Sequence, residues 1–243
     1  MRWRWLGGAV LALAAASGVG AKELGVQVAA DTALHSDYVF RGTRICGTAW
    51  QTGVVVQDKV SRRLGLNAAL RSIVNLGAGE PGLGENDFTL GLRYRPLPRL
   101  TLAGGWTYYQ QNKAVFYSAD TSELYGAVSG NLPGRPKLEA WYDVGNYPGL
   151  YARLSAGESL PAPLIGRRWS VELEGALGWQ LGRRSEGAPD GFNDMKLHTG
   201  LAYNLGHGLR VEPAVDWWAA NPAANPREAR IVLSATLSYA KKF

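Results

Sequence analysis

Cysteine is nearly absent: Cys46 stands alone in a chain of 243 residues, so no disulfide can form within it. A lone thiol of this kind reads as an unpaired loop residue rather than a metal ligand or nucleophile. Histidine is scarce as well, with only His35, His198 and His207. No glycine-rich phosphate loop, paired-cysteine spacing or histidine-rich metal pattern occurs. The stretch Asn75–Asn86 carries Glu80 and Glu85 but lacks the spacing of a calcium loop. No cofactor is implied. The formal net charge of +6 is too mild to argue for nucleic acid or for a polybasic membrane patch. Outside residues 6–16 there is no long unbroken apolar run, which excludes membrane-spanning helices, since these need about 20 apolar residues.

The apolar run follows the cationic start Met1-Arg2-Trp3-Arg4 and leads through small residues to Val19 and Ala21. This order predicts a secretory signal peptide over residues 1–21, cut after Ala21, with 22–243 as the mature domain. Losing Arg2 and Arg4 takes the formal charge from +6 to +4. No cysteine follows the cut, which argues against a lipoprotein.

In the mature chain the dominant signal is a period of two. The last segment, residues 230–243, places Ile231, Leu233, Ala235, Leu237, Tyr239 and Phe243 on one parity, interrupted by Lys241. Arg230, Ser234, Thr236 and Ser238 take the other. Such a strand fits lipid on one side and a polar interior on the other. The terminal aromatic, Phe243, resembles the signature that the barrel assembly machinery of outer membranes reads. The same alternation recurs upstream, for example in Phe88, Leu90, Leu92 and Tyr94 against Asp87, Thr89, Gly91 and Arg93. It recurs again in Trp169, Val171, Leu173, Leu177 and Trp179 against Ser170, Glu172, Glu174 and Gln180. Twelve segments can be marked, the first running from about Leu24 to Arg41, and none after the signal has a helical period.

The segments predict an all-β, antiparallel transmembrane up-and-down β-barrel of about 12 strands, with ten or fourteen as alternatives. The 9 Trp and 11 Tyr supply interfacial girdles, with Trp50, Trp106, Trp169, Trp179 and Trp217 on the lipid-facing parity. Connections after even-numbered strands are mostly tight (Pro96–Arg99, Asn131–Arg135, Gly206–Gly208). Those after odd-numbered strands are mostly longer (Asn75–Asn86, Gln110–Asp120, Gly182–Asp194, Asn221–Glu228). That is the order of short periplasmic turns and longer outer loops. A soluble sandwich would alternate too, but it leaves the charges on the second face of nearly every strand unexplained.

Residues 36–43 read SDYVFRGT, and Trp50-Gln51 follows in the next strand. This resembles the TorF-type porin family of proteobacteria, whose members carry S-D-Y-x-F-R-G near the mature N-terminus. Arg44-Ile45-Cys46-Gly47-Thr48 stands where that family usually has a Ser-Gln-Thr stretch. The resemblance implies a small outer-membrane barrel with porin activity and no established substrate. From the residues themselves, Tyr38 and Phe40 would face lipid at the outer interface. Asp37 and Arg41 would then face the lumen, paired with each other or with neighbouring strands, and Gly42 would permit the turn. A charged constriction and a structural rim ion pair both remain open.

The parity assigns a pore lining of Asp37, Arg41, Arg71, Asp87, Arg93, Glu123, Glu139, Asp143, Arg153, Glu172, Glu174, Lys196, Arg210, Glu212, Asp216 and Arg230. Unpaired charges in a dry wall are costly, so such a lumen is wet or ion-paired. Seven bases against nine acids predict weak charge selectivity, with the acids grouped on the sixth to ninth and eleventh segments. Twelve strands enclose a narrow channel. The expected function is passive diffusion of small polar solutes or ions, with outer-membrane lipid and the assembly machinery as partners. The alternatives are a non-conducting structural or adhesive barrel, and a membrane-embedded lipid hydrolase. The latter needs a Ser–His–acid arrangement, for which only His35 and His198 are available, since His207 sits in a tight turn.

Overall fold

The computed structural model describes residues 25–77, 81–116, 119–182, 190–221 and 229–243. The expected signal segment 1–21 and Leu24 lie outside them. The strands are β1 (Gln27–His35), β2 (Tyr38–Phe40), β3 (Thr43–Cys46), β4 (Ala49–Lys59) and β5 (Leu64–Asn75). They continue with β6 (Gly82–Leu97), β7 (Leu100–Gln111), β8 (Thr121–Gly130), β9 (Lys137–Asp143) and β10 (Gly149–Pro161). The last four are β11 (Trp169–Leu181), β12 (Gly191–Gly206), β13 (Leu209–Ala220) and β14 (Arg230–Lys242). A single helical turn, α1 (Lys113–Phe116), lies between β7 and β8.

Twelve of these strands, β1 and β4 to β14, form one closed antiparallel barrel in which β1 pairs with both β4 and β14. Closure satisfies every interior ladder without leaving an edge, which is what a hydrocarbon surround demands. The seam runs from Gln27 opposite Lys242 to His35 opposite Ser234 with no register shift. Beyond it, the Phe243 N–H donates to the Val26 carbonyl at 2.9 Å.

Parity sets the two faces as expected. Phe88, Leu90, Leu92, Leu124, Leu138, Leu233 and Leu237 are all exposed on the outside, an apolar band that only lipid tails can cover. Trp169 packs on Tyr203 with ring centroids 4.7 Å apart at the end with the tight turns. Trp50 is exposed toward the other end, so aromatics stand at both ends of the band. The turn Gly206–His207–Gly208 has φ of 92°, 52° and 84°. A Cβ at Gly208 would lie 2.2 Å from the Ala240 carbonyl oxygen, so the reversal requires glycine there.

One expectation fails. The first segment is not a single strand to Arg41. β1 stops at His35, where Ser36 donates its N–H to the Leu233 carbonyl and accepts the Leu233 N–H on its hydroxyl. The chain then folds into a separate hairpin, β2 and β3. Tyr38 and Phe40 therefore do not face lipid. The same period of two serves both a barrel strand and a hairpin inside the barrel, so alternation alone did not show the break.

Candidate functional site

The hairpin reverses at Arg41 and Gly42, with φ of 50° and 76°. Two successive left-handed residues make the tight reversal whose twist suits a two-residue hairpin. Gly42 fits for a second reason: a Cβ there would lie 2.6 Å from the Cβ of Asp194 on β12. A bulky arginine in the left-handed region is uncommon and marks a position held by its surroundings.

Those surroundings are the far wall of the barrel. The Arg41 guanidinium donates from both terminal nitrogens to the Glu123 carboxylate on β8, at 2.8 and 2.7 Å. Tyr109 on β7 donates its hydroxyl to the same carboxylate at 2.8 Å. The guanidinium carbon lies 4.6 to 4.9 Å from the ring centres of Phe40, Trp141 and Tyr151. Asn193 donates its amide to the Arg41 carbonyl at 2.9 Å and to Asp194 at 2.7 Å, and Tyr151 donates to Asp194. Phe40 meets Tyr109 edge-on. The hairpin, tethered between β1 and β4, thus reaches across to β7 through β10 and β12. Only 2% of the Glu123 side chain is open to solvent, so this level is packed. A desolvated, bidentate arginine pair stacked on aromatics is strong and geometrically specific.

The hairpin base is clamped as well. Asp37 accepts from Arg44, so of the two expected pairings that of Asp37 with Arg41 does not form, while Arg41 pairs with a wall strand through Glu123, and Asp37 belongs to the hairpin rather than the wall. Tyr38 stacks on Phe116 of α1 with centroids 6.1 Å apart and donates to Glu85. Cys46, Ala49, Ile73, Val115 and Phe116 form a small apolar cluster beneath. Burial pushes the Cys46 thiol up to about 11. Gly84 makes this packing feasible, because a Cβ there would lie 2.3 Å from the Phe116 ring.

Below the hairpin the lumen is different in kind. A chain of ion pairs crosses the wall formed by β10 to β13. Arg153 bonds Glu174 at 2.6 Å, and Lys196 bridges Glu174 and Asp216 at 3.9 and 3.4 Å. His198 joins Asp216 and Glu212 at 2.7 and 3.1 Å. Arg210 closes the chain onto Glu212 and Glu172 at 2.6 and 2.9 Å. These side chains stay partly open to solvent, 39% for both Arg210 and Glu174. They are wetted from inside a cylinder whose outside is apolar.

The predicted lining residues therefore divide by role. Arg41 and Glu123 form the clamp. Arg153, Glu172, Glu174, Lys196, Arg210, Glu212 and Asp216 form the ion chain. Glu139 pairs with Lys137. Asp143 accepts from Thr121 and from the backbone N–H groups of Gly145 and Tyr147, so it holds its own loop and is no free filter charge. Arg71 lies opposite Asp87 in the ladder, Arg93 opposite Gly65, and Arg230 opposite Trp218. The acids do not form a bare acidic wall; bases are interleaved with them. Glu85, Asp194, Tyr109, Trp141 and Tyr151 were missed as contributors, because only the inward hairpin gives these positions a partner. Among the described residues, none of His35, His198 and His207 is hydrogen-bonded to a serine, and both ring nitrogens of His198 meet carboxylates.

No family model and no curated protein sequence matches the chain. Solved structures do. An outer-membrane channel from Pseudomonas putida F1 superposes with a TM-score of 0.55 at 11% identity, over 93% of this chain and 98% of that one. The translocator domain of the autotransporter NalP from Neisseria meningitidis gives 0.53 at 12% identity, over 98% and 94%. The NanC porin gives 0.51 at 9% identity, over 89% and 99%. At such identities the likeness is one of fold: the chain has the architecture of bacterial outer-membrane β-barrels.

Proposed function

We propose that this protein is a porin-like channel of the bacterial outer membrane, exported by its N-terminal segment and passing small hydrophilic solutes or ions by passive diffusion. We further propose membership of the TorF-type porin family, on the SDYVFRGT segment that forms the hairpin. The observation that carries the channel reading is the ion chain on β10 to β13, whose side chains remain open to solvent inside a closed barrel. A wall of charges in contact with water is what a diffusion path needs, and a barrel serving only as scaffold gains nothing from it. The hairpin supplies the narrow level, with Arg41 as its anchor.

A second reading, a barrel held shut by the hairpin, draws support from the burial of the Arg41–Glu123 pair. Planar-bilayer recording separates the two. Stepwise, salt-dependent conductance of the natural chain is the expected result. Conductance that emerges only with Arg41→Ala marks a closed resting state. Silence from both, with the barrel shown to be folded by heat-modifiable gel migration, overturns the channel reading.

A further inference from the structure

The mouth at the end where β1 begins and β14 finishes holds cations that neither the clamp nor the ion chain uses. Lys59, Arg93 and Lys242 converge on a cavity of about 80 Å³ that is also lined by Gln27, Gln57 and Asp58. The register explains the convergence. Gln27 pairs with Lys242 on one side and with Gln57 on the other, while Gly65 lies between Lys59 and Arg93. All three cations thus share the inward parity near one end of the barrel, on the alternate strands β14, β4 and β6 with β1 and β5 between them. Two glycines leave them room. A Cβ at Gly25 would lie 3.0 Å from the Lys59 Cβ, and one at Gly65 would lie 3.7 Å from an Arg93 guanidinium nitrogen.

The charges here are arranged unlike those above. Eight groups of both signs pair off along the ion chain, whereas the one acid lining the mouth cavity, Asp58, lies between inward Gln57 and Lys59 and takes the outward parity opposite Leu66. Among the described residues none of the three cations makes an ion pair. Arg95, of the same sign, follows two residues after Arg93. Gathering like charges around a partly enclosed space is unfavourable unless an anion enters it. Two ammonium groups, a guanidinium and the donor ends of two glutamine amides match the demands of oxoanion oxygens.

We propose that this cavity is a binding site for one small oxoanion of the size of inorganic phosphate. The inward parity assigns it to a soluble anion in the lumen rather than to a lipid headgroup. Its consequence for transport rests on the channel reading: the groups of the ion chain are paired with one another, so the unpaired cations of the mouth set the charge preference, favouring anions.

The direct test is equilibrium binding of inorganic phosphate to the refolded barrel in zwitterionic detergent. Saturable binding is expected, weakened at least tenfold by the triple change Lys59→Gln, Arg93→Gln and Lys242→Gln. If that variant does not fold, Arg93→Gln alone is expected to weaken binding at least threefold. A folded natural chain without saturable binding, or variants that bind equally well, overturns the site. Loss of phosphate binding in phosphatidylglycerol nanodiscs, with retention in phosphatidylcholine nanodiscs, overturns the assignment to a soluble anion and makes the lipid headgroup the occupant. Reversal potentials in a potassium chloride gradient form the second arm. An anion preference that collapses toward zero in the variant supports the transport role, and steady conductance without preference overturns it while leaving the channel standing. Absence of conductance overturns the channel and leaves phosphate binding to decide the site.

Discussion

Arg41 shows how much one residue is asked to reconcile. Its backbone sits in the left-handed region, which costs an L residue about 1–2 kcal/mol, while its side chain forms a desolvated pair with Glu123. Removing one partner of a buried pair typically costs about 3–5 kcal/mol because the other charge is left unmatched. Here the hairpin can relieve that cost by leaving the wall. Cys46 reports such a release, because it lies in β3 and is buried in the docked state. With the thiol pushed up to about 11 by burial, about one thiol in a thousand is ionised at pH 8. Maleimide labelling of the natural chain is therefore expected to be slow and to quicken about tenfold per pH unit up to about pH 11. Arg41→Ala should speed labelling at pH 8 at least tenfold. Arg41→Lys should speed it less, since lysine keeps the charge but loses the two-point bond and the stacking. Equal rates in all three would mean that Arg41 does not hold the hairpin.

At the scale of the strand pair, glycines shape the inner wall of β6 and β7. Tyr125 of β8 lies over Gly91 and Gly105: a Cβ on Gly91 would come within 2.1 Å of its hydroxyl, and one on Gly105 within 2.7 Å of its ring. The two differ in what resists. At Gly91 the nearest obstacle is the end of a side chain, which can swing into the lumen. At Gly105 it is the Leu90 carbonyl oxygen at 2.2 Å, fixed in the ladder. Gly105→Ala should cost about 1–3 kcal/mol, the usual range for overpacking, and Gly91→Ala clearly less. Gly126→Ala, which meets nothing within 4 Å, serves as the neutral control. Urea-induced unfolding from lipid vesicles measures all three, and a larger loss at Gly91 than at Gly105 would contradict this account of the wall.

The whole molecule is stabilised by closure and by its match to lipid, since the buried apolar cluster around the hairpin is small and the other buried apolar side chains are few. Leu90, 59% exposed on the outer face, belongs to the lipid-facing band. Arginine near the bilayer midplane costs a barrel about 2–4 kcal/mol, and Leu90→Arg should lose that amount in the same vesicle experiment. A loss below about 0.5 kcal/mol would place Leu90 at the interface and shift the band along the barrel. The functional layout is set at this scale too. A buried clamp at one level, a solvent-accessible ion chain below it and a cationic mouth where β1 begins and β14 finishes lie in sequence along one axis.

What the chain encodes locally is the face each residue takes. A period of two depends only on neighbouring residues, so the lipid band and the tight turns at Gly206–Gly208 were legible without a structure. The last strand ending in Phe243 was legible in the same way, as the partner that closes on the first. The SDYVFRGT segment was legible as a feature but not as an inward hairpin, since its alternation matches that of a wall strand and only the break at Ser36 separates them. Which inward side chains meet depends on register and on closure, and both relate residues far apart in the chain. Tertiary structure alone therefore decided that Arg41 reaches Glu123, 82 positions away, that Asp143 serves its own loop, and that Lys59, Arg93 and Lys242 share one cavity. Parity says which side a charge faces; only the closed barrel says at what height, and opposite whom.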